Sequence, residues 1–261
     1  MSRPMVRVQD ALSGVRTLTL ARADVHNALD DALVAELTAR LDQAGRDDLV
    51  RAVVLTGAGK SFSAGADIAW MRRAADHDEA ANLEDARALA RLMTTLDRCP
   101  KPTIARVHGP AIGFGLGLVA ACDIAVASER AVFAATEVRL GIVPAVVSPF
   151  VVRAIGARHA RRLFLTAERV DAAFAKSIGL VHEVVPADSL DDRVTGFLTD
   201  LAKGGPEALA RAKRLVDVVA QRQPDDDAME ATAQLIARIR SGDEAKEGVG
   251  AFLDKRPAAW T

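Results

Sequence analysis

The chain has 261 residues, 50% of them hydrophobic, with 34 Lys+Arg against 35 Asp+Glu and a formal net charge of −1. That hydrophobic content exceeds what a disordered chain carries, and the charge balance gives no pull toward nucleic acid or an anionic membrane. The two cysteines, Cys99 and Cys122, lie far apart without CxxC or Cys/His spacing, which argues against a disulfide framework or a zinc site and for reduced thiols in a cytoplasmic protein.

In chain order, Met1 to Val8 lacks the apolar stretch of roughly 7–15 residues that a secretory leader needs. Val6 to Gln9 and Val15 to Leu20 alternate with strand period around Ser13-Gly14, which is a hairpin signal. Asp30 to Leu41 puts Leu33, Val34, Leu37 and Leu41 on one helical face. Arg51 to Thr56 reads as a strand, followed by the loop Gly57 to Asp67 and a helix-like Ile68 to Ala74. A charged helical stretch from about Glu79 to Leu96 precedes a strand at Thr103 to His108. The apolar run Gly109 to Cys122 falls short of the ~20 residues of a membrane span. It carries five glycines or prolines and reads as a buried helix. Short strands are expected at Ile124 to Ala127 and Val132 to Ala135. From Leu190 onward the pattern turns helical, through Pro206 to Ala220, Ala228 to Ile239 and Asp243 to Leu253. Strands separated by helices predict an α/β core with mostly parallel pairing, capped by those helices.

Two strand–loop–helix junctions stand out, one at Gly57 to Asp67 and one at Ala111 to Asp123, where glycines 113, 115 and 117 alternate. Amide groups of Gly113, Phe114 and Gly115 would sit at a helix N-terminus, where unpaired N–H groups and the positive dipole end favour a developing negative charge. The GxGxG spacing is not the GxGxxG of a dinucleotide site. His108 and His159 have no paired Ser or Cys in a nucleophile motif, so a hydrolytic triad has little support.

Phe62 to Met71 (FSAGADIAWM), the glycine-rich stretch after His108-Gly-Pro, Cys122 to Glu129 (CDIAVASE) and Phe133 to Pro144 (FAATEVRLGIVP) together resemble the enoyl-CoA hydratase/isomerase, or crotonase, family. The likeness runs in order from Asn27-Ala-Leu to Phe252-Leu-Asp-Lys255. It implies an α/β, crotonase-like spiral of ββα units over residues 1–195 and a C-terminal helical trimerisation region over 196–261. It further implies an acyl-CoA thioester substrate, no cofactor beyond the coenzyme A of that substrate, and a homotrimer or dimer of trimers. Carried over residue by residue, the oxyanion amides would be those of Ala64 and Phe114 and the acid/base Glu137. The coenzyme would run along Ala64, Gly65, Ala66, Asp67 and Ile68, with Arg22, His26 and Ala28 at its edge. Lys255 and Arg256 could meet its phosphates across a subunit boundary.

Glu137 is flanked by Phe133, Ala134, Val138 and Leu140, an apolar setting that should raise its pKa. The family's hydratases use two glutamates, and the first would fall at Gly117, where this chain has no carboxylate. Water would then be held by Glu137 with backbone groups or Ser148. Asp123 reads as a structural cap or strand start. Three functions stay open: hydration of a 2-enoyl-CoA, single-base isomerisation of a 3-enoyl-CoA, and acyl-CoA or RNA binding without turnover. Absence of tyrosine and of a basic stripe counts against RNA. Trp70 to Ala75 with Asn82 to Arg91, and Val143 to Arg153 with Ala160 to Glu168, resemble the bacterial methylglutaconyl-CoA hydratase branch. Such a substrate bears a distal carboxylate, for which Arg72, Arg73 and Arg153 are candidate partners.

Overall fold

The computed structural model describes residues 4–220 and 222–261, so the first three residues of the expected leaderless start lie outside it. Val6–Asp10 (β1) and Val15–Leu20 (β2) form the expected hairpin, with Val6 opposite Leu20 and Asp10 opposite Arg16. Asp30 then caps Asp31–Arg46 (α1), its side chain accepting the Leu33 N–H at 2.8 Å. Leu33, Val34, Leu37 and Leu41 are all buried, and the stripe continues to Ala44.

The next strand, Ala52–Gly57 (β3), is followed by Ile68–Ala75 (α2) and Glu79–Asp97 (α3). Thr103–Val107 (β4) and Ala111–Ile112 (β5) lead into Phe114–Ala121 (α4). Every residue of α4 is buried, as expected of a helix apolar on all sides. Ile124–Ser128 (β6) and Val132–Ala134 (β7) precede Ser148–Thr166 (α5), which breaks at Gly156. Val170–Asp171 (β8), Ala172–Ser177 (α6) and Glu183–Val185 (β9) complete the sheets. Leu190–Ala202 (α7), Pro206–Val219 (α8), Asp226–Arg240 (α9) and Asp243–Leu253 (α10) follow. Among the described residues no helix is long and apolar enough to cross a membrane.

One sheet runs β1-β2-β3-β4-β6-β9 and is parallel except for the hairpin; a smaller one runs β5-β7-β8. Successive units β4-β5-α4 and β6-β7-α5 each give one strand to each sheet and then a helix, which is the ββα spiral expected from the family resemblance. The β3 unit follows the same path through Ser63 to Ala66, bridged on one side to Ala111 and on the other to Leu29. Central strands such as β3 are buried on both faces, which explains their unbroken Val/Leu run.

The boundary expected at 195/196 falls inside α7. Leu190, Val194, Phe197, Leu198 and Leu201 pack against Val54, Ile104 and Val126 on the outer face of the large sheet, so α7 belongs to the core. The helical region proper begins after Lys203–Gly205. It is tied back by Lys213 of α8, whose Nζ donates to Asp123 Oδ2 at 2.8 Å. The same oxygen accepts the Thr103 N–H and hydroxyl at 2.8 and 2.9 Å, so Asp123 has the structural role at the strand start that its position suggested. Cys99 and Cys122 are buried free thiols, and burial pushes both upward in pKa.

Candidate active site

A cavity of about 1140 Å³ lies between the two junctions picked out in the sequence. Its walls include His26 and Ala28, the segment Ala64 to Ile68, Gly113 and Phe114, Glu137, and the apolar stretch Leu140 to Val147. Local backbone chemistry sets the geometry. Ser63 N–H donates to Pro110 O at 3.1 Å and Ile112 N–H to Ser63 O at 2.9 Å, while Leu29 N–H donates to Gly65 O at 2.7 Å and Asp67 N–H to Leu29 O at 2.8 Å. The segment is thereby laced on both sides like a short strand.

The expectation for Ala64 needs correction. Its N–H donates to His26 O at 2.9 Å and is not free for a ligand. Gly65, between Ala64 and Ala66, has φ +94°, a conformation that L side chains rarely adopt. The Ala66 N–H has no acceptor among the described residues, and neither does that of Phe114, the first residue of α4. A Cβ on Gly65 would stand 3.6 Å from Phe114 N and 2.9 Å from Ile112 O, so the close approach of the two loops depends on glycine here. Two unpartnered amides from two loops therefore border one cavity, the pairing that binds a developing oxyanion. Sequence spacing alone does not distinguish Ala64 from Ala66; the bond from the Ala64 N–H to His26 O does.

Glu137 opens a single turn of 3-10 helix, Glu137–Leu140, after β7. Its Oε2 is buried with no hydrogen-bond partner among the described residues. Its Oε1 stands over Gly113, 3.0 Å from where a Cβ there would be. Burial raises the Glu137 pKa, the direction its apolar neighbours led us to expect. A buried carboxylate raised in pKa, with one oxygen unpartnered, beside helix N-terminal amides holds a proton more readily than an ordinary glutamate and can take one up and return it.

Position 117 is closed to a second carboxylate. A Cβ on Gly117 would collide with Val147, approaching Val147 Cβ to 2.6 Å and Cγ1 closer still. Val147 is 2% exposed and occupies the space into which a longer side chain would project. Ser148 does not take up the role suggested for it: its hydroxyl donates to Ala145 O at 2.8 Å and it is absent from the cavity wall.

The expected coenzyme residues His26, Ala28 and Ala64 to Ile68 line the cavity. His26 has φ +54° and places Nδ1 3.0 Å from Ser61 Oγ. Arg22 also borders the cavity, but its guanidinium is committed to Ala28 O, Asp30 and Asp67. Asp67 caps α2 through the Ala69 and Trp70 N–H groups. Burial would raise its pKa, but those two N–H bonds and Arg22 hold it below the ordinary value. Lys255 is exposed and lies off the cavity of its own chain, and Arg256 is paired to Glu247 at 2.7 and 2.8 Å.

Of the three arginines considered for a distal carboxylate, Arg153 pairs with Asp97 and Asp217 and is not on the wall. Arg73 borders the cavity but reaches Asp31 at 3.1 Å. Arg72 borders it and has no acidic partner among the described residues.

Residues 10–261 match the family profile described as enoyl-CoA hydratase/isomerase. The 2,3-dehydroadipyl-CoA hydratase of Escherichia coli K12 is 36% identical over 247 residues, covering 93% of each chain. A crystal structure of an enoyl-CoA hydratase from Shewanella pealeana superposes with a TM-score of 0.95 at 42% identity, over 98% of this chain and 96% of that one. A trans-2-decenoyl-acyl-carrier-protein isomerase of Streptococcus mutans is 29% identical over 254 residues, 95% of each chain.

Proposed function

The chain belongs to the enoyl-CoA hydratase/isomerase family, and from that premise we propose that it adds water reversibly to a 2-enoyl-CoA with Glu137 as its sole carboxylate acid/base. The observation that carries this reading is the buried, unpartnered Oε2 of Glu137 beside the Gly113–Phe114 turn. Glu137 takes a proton from water as the water oxygen bonds to the β-carbon. The C=C electron pair passes into an enolate, whose oxygen rests between the Ala66 and Phe114 N–H groups. The same carboxyl then delivers its proton to the α-carbon on the same face, so addition is syn and Glu137 ends ionised as it began. Oxyanion donors of this kind contribute roughly 10²–10³ in rate each.

The substrate class is a 2-enoyl-CoA whose acyl group ends in a carboxylate, of which 3-methylglutaconyl-CoA is one member. Arg72, facing the cavity without an acidic partner, supports that choice, as does likeness to a relative named for a dehydroadipyl thioester. The exposed Val216, Val218, Met229, Ile236 and Val249 of α8–α10 support assembly as a homotrimer or dimer of trimers, with Lys255 meeting the coenzyme of a neighbouring copy.

A second reading is isomerisation of a 3-enoyl-CoA to the 2-enoyl-CoA, which needs one base to move a proton between the α- and γ-carbons. The closure of position 117 by Val147 favours it. One assay separates the two: a panel of 2- and 3-enoyl-CoA thioesters, with and without a terminal carboxylate, with products identified by mass. Hydroxyacyl-CoA from 2-enoyl substrates supports hydration, and 2-enoyl product without hydroxyacyl product supports isomerisation. Failure of Glu137→Gln to abolish turnover would sink both.

A further inference from the structure

The Arg22 guanidinium reaches three groups at the edge of the site. Its Nη2 donates to Asp67 Oδ2 at 3.0 Å and lies 3.0 Å from Asp30 Oδ2, and its Nη1 donates to Ala28 O at 2.6 Å. Each aspartate uses its other oxygen to cap a helix: Asp30 Oδ1 accepts the Leu33 N–H of α1, and Asp67 Oδ1 accepts the Ala69 and Trp70 N–H groups of α2. One guanidinium thus joins the N-termini of two helices, with the three side chains only 19%, 16% and 11% exposed for Arg22, Asp30 and Asp67.

Backbone bonds continue the tie. Arg22 N–H donates to Asn27 Oδ1 at 3.0 Å, and the fully buried Asn27 holds Ala58 O and Ser61 O through its Nδ2, both at 2.8 Å. Asn27 O accepts the Ser63 hydroxyl, which in turn accepts the Gly65 N–H. Leu29, between Ala28 and Asp30, clamps Gly65 O and Asp67 N. The Ala66 peptide is therefore suspended between contacts that lead back to Arg22.

We propose that Arg22 is a positioning residue, which fixes the direction of the Ala66 N–H by locking the two cap aspartates together, and does not bind the coenzyme's phosphates. This rests on the reading of Ala66 as an oxyanion donor. Lysine would keep the charge, but it lacks the planar fork that reaches Asp67, Asp30 and Ala28 O together. Because a misplacement of about 1 Å at a reacting centre costs on the order of 10²-fold, loss of the fork should appear in kcat.

The test compares wild type with Arg22→Met and Arg22→Lys by steady-state kinetics on the thioester that wild type turns over, by calorimetric titration with free coenzyme A, and by amide hydrogen exchange over residues 63–71. Expected for Arg22→Met are a kcat lower by about 10- to 100-fold, KM and coenzyme A affinity within about threefold, and faster exchange across 63–71; Arg22→Lys should recover part of the kcat. If Arg22→Met folds poorly, Asp30→Asn keeps the α1 cap and removes one anion from the fork, and it should show the same kcat-only pattern at smaller size. A coenzyme A affinity reduced more than tenfold at unchanged kcat, or unchanged exchange over 63–71, overturns the proposal. Absence of turnover by wild type across the whole panel overturns the enzymatic reading instead, and the exchange and coenzyme arms still decide the role of Arg22.

Discussion

Gly117→Ala is the sharpest probe of why position 117 holds no second carboxylate. The added Cβ would lie 2.6 Å from Val147 Cβ and 3.6 Å from Met93 Cε, whereas carbon atoms pack at about 3.5–4.0 Å. Val147 cannot swing aside, because it is β-branched, 2% exposed and directly precedes the first residue of α5. Either α4 or α5 must shift by roughly 1 Å, an overpacking cost of about 1–3 kcal/mol. The better helix propensity of alanine offsets about 1 kcal/mol of that. A net loss of about 0–2 kcal/mol lowers Tm by up to about 8 °C in a chain of this size. The two distances also order the rescues. Val147→Ala removes both Cγ atoms yet leaves the Cβ at 2.6 Å, so relief is incomplete; Val147→Gly clears the position. Thermal denaturation of the four members of the Gly117→Ala and Val147→Gly cycle measures the coupling. A rise in Tm for Gly117→Ala alone, or an equal effect of that substitution with and without Val147→Gly, would refute the packing account of the absent second carboxylate.

Other expectations follow from the same geometry. Glu137→Gln should lower kcat by about 10²–10⁴. It should also raise stability relative to wild type at pH 8. The folded pKa of Glu137 is raised by burial, so its contribution to wild-type stability is fully present below the ordinary glutamate value and is lost as pH rises through the raised one. The Tm gap between the two proteins should therefore close toward pH 4, and a gap independent of pH would contradict the burial of this group. Gly113→Ala places a side chain at φ +53° and ψ −117°, 3.0 Å from Glu137 Oε1. It should cost about 1–3 kcal/mol of stability and more than tenfold in kcat, read by denaturant titration and initial rates. Lys213→Met leaves Asp123 without its ammonium partner, and should cost about 1.5–3 kcal/mol and expose the 203–206 connection to limited proteolysis. Arg72→Ala should raise KM for a carboxylate-bearing enoyl-CoA by about 10- to 100-fold, since a charged hydrogen bond contributes about 1.5–3 kcal/mol. Crotonyl-CoA should be unaffected; equal losses on both substrates would remove Arg72 from substrate recognition.

Local pattern sufficed wherever one segment's own residues decide its structure. The Val15 to Leu20 alternation, the buried stripe of α1 and the uniformly apolar α4 all formed as expected, since periodicity acts over a few residues. The apolar neighbours of Glu137 likewise foretold the direction of its pKa. Segments that did not stand out were α5 with its break at Gly156, the two-residue β8 and the short β9, whose pairing partners lie far away in the chain. The 195/196 boundary misplaced α7 because its apolar face finds its partners only on the outer side of the sheet.

Sequence by itself determined the two glycine-containing junctions, and through the family resemblance it implied the ββα order and Glu137 as the carboxylate between them. Tertiary structure decided which amides remain open and which charges are free. The bond from the Ala64 N–H to His26 O leaves the unpartnered N–H to Ala66 and not to Ala64. Asp30 and Asp67, 8 and 45 residues from Arg22, absorb its charge. Val147, 30 residues beyond Gly117, fills the place of a second carboxylate. Each outcome depends on contacts between separate segments, and periodicity within one segment carries no information about what the fold will bring against it.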